Sequence, residues 1–462
     1  MSETRNACLA VDFGAGSGRV IAGEQLPGGE LRLTEVHRFG NRQVRLGDSL
    51  YWDFPALFAE MTEGIAKAAA QGFHILSVGI DTWGVDFGLL TRGGRLLSNP
   101  LCYRDSHTAG LPERLWSDRD EVLAHFAECG IYPIAINSLY QLVALKEREP
   151  EMLDCADTLL FMPDLFAYFL TGEKSCERTI ASTSELLLAD RPEWNCGLIA
   201  RLGLPERIFG KIIEPGTVKG YILPDVASRL GIDYEVPVIA AGGHDTACAV
   251  YASRLQSDGA RQAFISSGTW SLFGMEIPQP VCSPAAYDSA YTNEGAVGGT
   301  IRILQNIPGM WILQQLVAKW TAQGTFEGYD KLIAEAEAES IDSLIDVDDP
   351  AFVAPADMSA AIDDYCRNHG MAVPATPAEY ARVAIRSLAR RYGRAIDGLN
   401  AILPADERPT RINIVGGGSR NAFLNRLTAE ATGLEVLAGP VEATAIGSIA
   451  LQFRTCRLYR SA

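Results

Sequence analysis

Apolar and polar positions along the chain first predict three strands, a helix and a fourth strand. Ala7 to Phe13 is an apolar run, Gly14 to Gly18 turns it, and Arg19 to Gln25 reads as a second strand. Pro27-Gly28-Gly29-Glu30 turns the chain again into Leu31-Arg32-Leu33-Thr34-Glu35-Val36, which alternates as a half-buried strand does. Helical spacing follows from Phe54 to Gly72, and Ile75 to Asp81 has the composition of a buried strand. Three adjacent strands, a helix and a strand predict a mixed α/β sheet rather than a purely parallel one.

The pattern recurs past the middle. Val236 to Ala241 is a β-type run, and Gln262 to Phe273 reads as strand, turn at Gly268, strand. Helices are predicted over Gly309 to Trp320 and Glu379 to Ile402, and Arg411 to Val415 leads through Gly416-Gly417-Gly418 into a helix from Asn421. Each half thus carries a glycine-turned hairpin within a sheet flanked by helices. Two similar lobes are expected, with a changeover near residues 245–262 and a ligand cleft between them. The length of 462 residues agrees, being too great for one ordinary core.

Charge narrows the partners. A net charge of −17 excludes nucleic acid and anionic membrane surfaces as natural targets. An anionic substrate would need local backbone N–H groups, a few cations or a metal ion. No apolar run approaches the roughly 18 residues of a membrane span. The start, Met1 to Asn6, lacks a signal-peptide pattern, so a cytoplasmic location is expected. Ten cysteines contain no C-x-x-C pair and six histidines add no zinc-like spacing, so buried free thiols are expected.

Five segments carry candidate chemistry. In Asp12-Phe13-Gly14-Ala15-Gly16-Ser17-Gly18-Arg19, an Asp ends a strand and three glycines let backbone N–H groups face phosphate oxygens. Asp12 suits Mg²⁺ and Arg19 adds a cation; a plain hairpin turn is the alternative. Ser266-Ser267-Gly268-Thr269-Trp270-Ser271 is a second glycine turn with small hydroxyls, either a phosphate clamp or a structural hairpin. Gly416-Gly417-Gly418-Ser419 removes side-chain bulk where a flat ring could lie beside a helix N-terminus. In Gly242-Gly243-His244-Asp245-Thr246-Ala247 the carboxylate of Asp245 suits a general base, or simply an N-cap. Ile80-Asp81-Thr82-Trp83-Gly84-Val85-Asp86-Phe87 offers carboxylates and an aromatic as a sugar platform, or a strand end.

Taken in order, these segments resemble the FGGY family of carbohydrate kinases over essentially the whole chain to about Gln452. Tyr103-Arg104-Asp105-Ser106 and Gly439-Pro440-Val441-Glu442-Ala443-Thr444 add to the likeness. Within the family the resemblance is closest to members that phosphorylate L-rhamnulose. It implies two similar lobes of the ribonuclease-H-like or actin-like ATPase fold with a central cleft between them. The lobes would be residues 1–246, the sugar and phosphate side, and 247–462, the nucleotide side. It implies ATP and Mg²⁺, with Asp245 as proton acceptor and Ala15, Gly16, Ser17, Gly18, Arg19, Thr269, Gln314 and Gly417 at the nucleotide. Gly84, His244, Asp245, Thr246 and Asn306 would line the ketose pocket. Asp12 is the expected metal ligand. Gly16 replaces a Ser common in the phosphate turn, and the sequence after Gln452 departs from the family, whose members continue with further helix. The alternatives are a kinase of L-fuculose or L-ribulose, or a non-catalytic sugar or nucleotide sensor on the same scaffold. Nothing in the sequence signals an oligomeric state.

Overall fold

A computed structural model describes residues 5–255, 259–353 and 355–460. Its contacts divide the chain into two compact units. The first comprises Met1–Ala252, Ile277–Ile303 and Thr444–Ala462; the second comprises Ser253–Glu276 and Leu304–Ala443. This differs from two consecutive lobes, because two later segments pack with the first unit.

In the first unit the strands Arg5–Phe13, Ser17–Gln25 and Leu31–Gly40 form the expected antiparallel meander. Phe73–Thr82 pairs in parallel on the other side of Arg5–Phe13, followed by Pro237–His244 and Val218–Tyr221. The apolar run at the N-terminus is explained by burial on both faces. Ala7, Leu9, Val11 and Phe13 enter one core with the helix Phe54–Ala70, whose first turn is capped by Asp53 accepting from Ala56 N. Cys8 and Ala10 point the other way, into a cluster with Ile21, Ala445, Ile449 and Phe453.

That second cluster shows why the C-terminal segment joins the first unit. The helix Ala443–Arg460 lays Ala445 and Ile449 on the sheet, and Gln452 is buried on it. Gln452 Oε1 accepts from Ser77 Oγ at 2.7 Å and its Nε2 donates to Leu9 O at 3.0 Å. A Cβ at Gly79 would stand 2.5 Å from the Gln452 amide nitrogen, and one at Gly447 only 1.9 Å from the Cys248 carbonyl oxygen. Two glycines thus permit the close approach. The segment after Gln452 continues as helix, and its departure from the family pattern bears on the first unit, not on the second.

The second unit repeats the plan. Gln262–Ser267 and Ser271–Ile277 form an antiparallel hairpin, and Arg411–Val415 runs parallel beside the first of them, followed by Glu435–Ala438. The 26-residue helix Pro377–Ile402 has a full capping box from Thr376 and Glu379. It buries Ala381, Ile385, Leu388, Tyr392 and Leu399 at helical spacing.

Candidate active site

Three loops of the first unit carry most of the expected residues. Asp12 ends the first strand, and its Oδ2 accepts from Arg19 Nε and Nη2 at 3.0 and 2.8 Å. Between them the turn closes through Gly14 N donating to Ser17 O at 2.9 Å. Asn41 donates from its side chain to Gly14 O and from its backbone to Gly16 O, and Gln43 donates to Ala15 O. In a trans peptide the C=O and the following N–H point in opposite directions. Pinning these three carbonyls therefore turns the following N–H groups the other way, as an anion cradle requires. The glycines serve different ends. A Cβ at Gly16 would meet nothing within 4 Å, whereas one at Gly18 would stand 2.3 Å from the Phe39 ring.

Asp81 lies directly across from Asp12 in the parallel register, at the end of Phe73–Thr82. It is wholly buried, and neither carboxylate oxygen has a hydrogen-bond partner among the described residues. Burial, then the charges of Asp12 and Asp245, push its carboxyl well above the usual carboxylate range. Asp245 begins the helix Asp245–Leu255, and its Oδ1 accepts from Thr246 N at 2.5 Å and Thr246 Oγ1 at 3.1 Å. Its carboxyl is raised by desolvation, with His244 opposing and Asp12 adding to the shift. The carboxylates of Asp12, Asp81 and Asp245 thus form one acidic cluster. Buried oxygens without donors suit a hard divalent cation, which takes oxygen ligands.

His244, one residue before, is held from two sides. Its Nδ1 meets Glu294 Oε2 at 3.0 Å, and the wholly buried Arg302 donates to the same oxygen at 2.8 Å. Burial pushes the Glu294 carboxyl up, but Arg302 and His244 hold it below its ordinary value. The His244 Nε2 lies 3.4 Å from Asp245 Oδ1. The same nitrogen is 3.5 Å from where a Cβ would sit on Gly84. Gly243 N donates to Glu177 Oε2 at 2.8 Å, and His244 N to Thr179 Oγ1. Burial lifts the Glu177 carboxyl to about 7, against the hydrogen bonds from Thr179 and Gly243. Glu294, Arg302 and Glu177 were not singled out from the sequence. They stand far from His244 along the chain, and no local motif marks them.

The sugar platform expected around Trp83 is different in the structure. Trp83 is buried against Trp52, with ring centroids 4.1 Å apart. Asp86 is equally inaccessible: Trp52 Nε1, Trp83 Nε1, Tyr103 N and Gln141 Nε2 all donate to it. Burial lifts its carboxyl to about 6 in spite of the hydrogen bonds. These groups shape the loop from within, while Gly84 is the residue of the loop whose Cβ would approach His244 Nε2 and Thr183 at 3.5 Å.

The remaining expected residues lie in the second unit. Thr269 Oγ1 donates to Gln314 Oε1 at 3.0 Å, and the turn is braced by Met310 N to Gly268 O and Trp311 N to Thr269 O. Gly416 is left-handed at φ 82°, and a Cβ on it would stand 2.9 Å from Ser267 O. A Cβ on Gly418 would collide with Ser267 Oγ, while Gly417 faces open space. Of the three, Gly417 is exposed, Gly416 half-buried and Gly418 buried. Asn306 is exposed on the strand Ile301–Ile307.

The fold is that of sugar kinases of the actin-like ATPase type. A gluconate kinase structure from Lactobacillus acidophilus superposes with a TM-score of 0.79 at 16% identity, covering 98% of this chain and 90% of that one. Plasmodium falciparum glycerol kinase with ADP gives 0.78 at 13% identity, with coverages of 98% and 90%. In sequence, residues 7–252 match the N-terminal domain and 263–456 the C-terminal domain of the FGGY family of carbohydrate kinases. The chain belongs to that family and is a carbohydrate kinase. A rhamnulokinase of Bacteroides thetaiotaomicron is 43% identical over 97% of this chain and 90% of its own length. Those of Oceanobacillus iheyensis and Klebsiella pneumoniae are 40% and 39% identical, over 96% and 97% of this chain and 92% and 89% of theirs. Among the described residues no helix is long and apolar enough to cross a membrane.

Proposed function

We propose that this chain transfers the γ-phosphoryl group of ATP to L-rhamnulose, giving L-rhamnulose 1-phosphate and ADP. The observation that carries the reading is identity of 37–43% to rhamnulokinases across nearly the whole chain. Phosphoryl transfer asks the protein for positioning and charge stabilisation more than for covalent chemistry. Asp245 accepts the proton of the sugar hydroxyl as its oxygen bonds to the γ-phosphorus and the bond to ADP breaks. Desolvation raises the Asp245 carboxyl, which makes it a better proton acceptor than an exposed Asp. His244, oriented by Glu294 and Arg302, and Gly84 line the sugar side. The N–H groups of Ala15 to Gly18 and the Arg19 guanidinium meet phosphate oxygens, and Thr269, Gln314 and Gly417 complete the nucleotide site. Asn306 adds a polar contact to the ketose.

Asp12, with Asp81 and Asp245 beside it, would hold Mg²⁺, which neutralises phosphate charge when bound. The test is ADP release with L-rhamnulose, L-fuculose and L-ribulose at matched ATP and Mg²⁺. L-Rhamnulose should give the highest kcat/KM, and L-fuculose, which misplaces a hydroxyl in a site built to pair it, should trail by about ten-fold or more. Faster turnover of L-fuculose would overturn the substrate but leave the kinase.

A further inference from the structure

The helix Arg119–Cys129 places His125 and Cys129 one turn apart on one face, and Gly130 caps its end. Opposite them stands Glu185, delivered by the turn Ser182–Ser184 with its own backbone left-handed at φ 66°. The ligand atoms of the three side chains all lie within 4.8 Å of one another, and all three residues are buried. His125 Nε2 is 2.6 Å from Glu185 Oε1 and 3.5 Å from Cys129 Sγ. Tyr140 Oη donates to Glu185 Oε1 at 2.7 Å and Asn137 Nδ2 to Oε2 at 2.6 Å. Trp116 stacks on the imidazole at 4.0 Å, and His125 Nδ1 has no hydrogen-bond partner among the described residues. The ring therefore engages the cluster through Nε2 alone.

We propose that His125 Nε2, Cys129 Sγ and Glu185 Oε1 form a structural zinc site. A thiolate and an imidazole select a borderline-soft ion such as Zn²⁺ over Mg²⁺. Bonds of about 2.0–2.3 Å in tetrahedral geometry separate ligand atoms by roughly 3.3–3.8 Å. The His125–Cys129 spacing already fits, and the His125–Glu185 contact opens by under about 1 Å when an ion replaces the shared proton. Tyr140 and Asn137 orient the carboxylate, as the outer shell of a metal site does. The Ile131 carbonyl oxygen, 3.7 Å from Cys129 Sγ, or a water supplies the fourth position.

Zn²⁺ bound by a neutral imidazole, a carboxylate and a thiolate leaves no net charge at this buried place. The ion ties the helix to a turn whose Thr183 hydroxyl accepts from Val85 N at 3.0 Å, beside Gly84. It braces the sugar loop and takes no part in the transfer.

Metal analysis of the full-length protein after dialysis into Mg²⁺ buffer should find about one zinc per chain. Cys129→Ser and His125→Gln should each retain less than about a tenth of that, while the exposed-site control Cys196→Ser keeps it. Co²⁺ added to metal-stripped protein should give a thiolate-to-cobalt charge-transfer band that is absent in Cys129→Ser. Should His125→Gln fail to fold, the smaller Cys129→Ser change and the cobalt spectrum decide alone. Wild-type protein that takes up neither Zn²⁺ nor Co²⁺, or a Cys129→Ser protein that keeps its zinc, overturns the site.

Discussion

Replacing Glu294 by Gln removes one negative charge and almost no volume from the support of His244. The Glu294 Oε2 accepts from both His244 Nδ1, at 3.0 Å, and Arg302, at 2.8 Å. Hydrogen bonds to a charged group contribute about 1.5–3 kcal/mol each. Stripping the partner from a buried charge costs about 3–5 kcal/mol, and Arg302 is fully buried. The amide oxygen can still accept from both donors, so what is lost is the charge facing the buried Arg302, and the expected destabilisation is about 3 kcal/mol. Urea unfolding followed by tryptophan fluorescence reads it, and steady-state kinetics should show a raised KM for the sugar with a smaller fall in kcat. The pH dependence supplies a sign. The Glu294 carboxyl lies below its ordinary value in the folded chain, so its contribution is full above the unfolded carboxylate range and disappears as pH falls through the folded value. The gap between wild type and Glu294→Gln should therefore close in acid. A Glu294→Gln protein as stable as wild type at neutral pH, with an unchanged KM, would refute the argument.

Asp245→Asn should lower kcat by about 10²-fold or more while ATP and sugar still bind, because the amide cannot take the hydroxyl proton; near-normal turnover would remove Asp245 from the base role. Asp86→Asn should destabilise by about 1–3 kcal/mol in urea, since an amide cannot accept from all four N–H donors now around Asp86. Gly447→Ala forces a methyl to 1.9 Å from a backbone oxygen of Cys248 and should cost about 3 kcal/mol; an unchanged melting temperature would contradict the helix placement.

The sheets were legible because their strands are short apolar or alternating runs bounded by glycine turns, and Arg411–Val415 falls on the expected residues. The loop after Phe73–Thr82 was legible in position but not in role. A Trp and an Asp near a glycine have the same composition whether they face a sugar or, as Trp83 and Asp86 do, bond each other inside the core. Asp12 lies at the end of a strand and Asp245 directly after one, where sequence places them, but the burial that raises Asp245 comes from neighbours in space. Glu294 reaches His244 across 50 residues of chain, and no spacing rule spans that distance. Nor does a helical pattern at the C-terminus say which sheet it will cover.

That covering helix has a consequence for biosynthesis. Gln452 bonds to Leu9 across 443 positions, and Ala445 and Ile449 shield the face bearing Cys8, Ala10 and Ile21. A growing chain therefore displays an apolar sheet surface while the 443 positions between Leu9 and Gln452 are made. The strands Arg5–Phe13 and Ser17–Gln25 wait for the helix Ala443–Arg460 before that face is sealed. Chaperone demand, and the damage done by a late premature stop, both follow from that order of arrival.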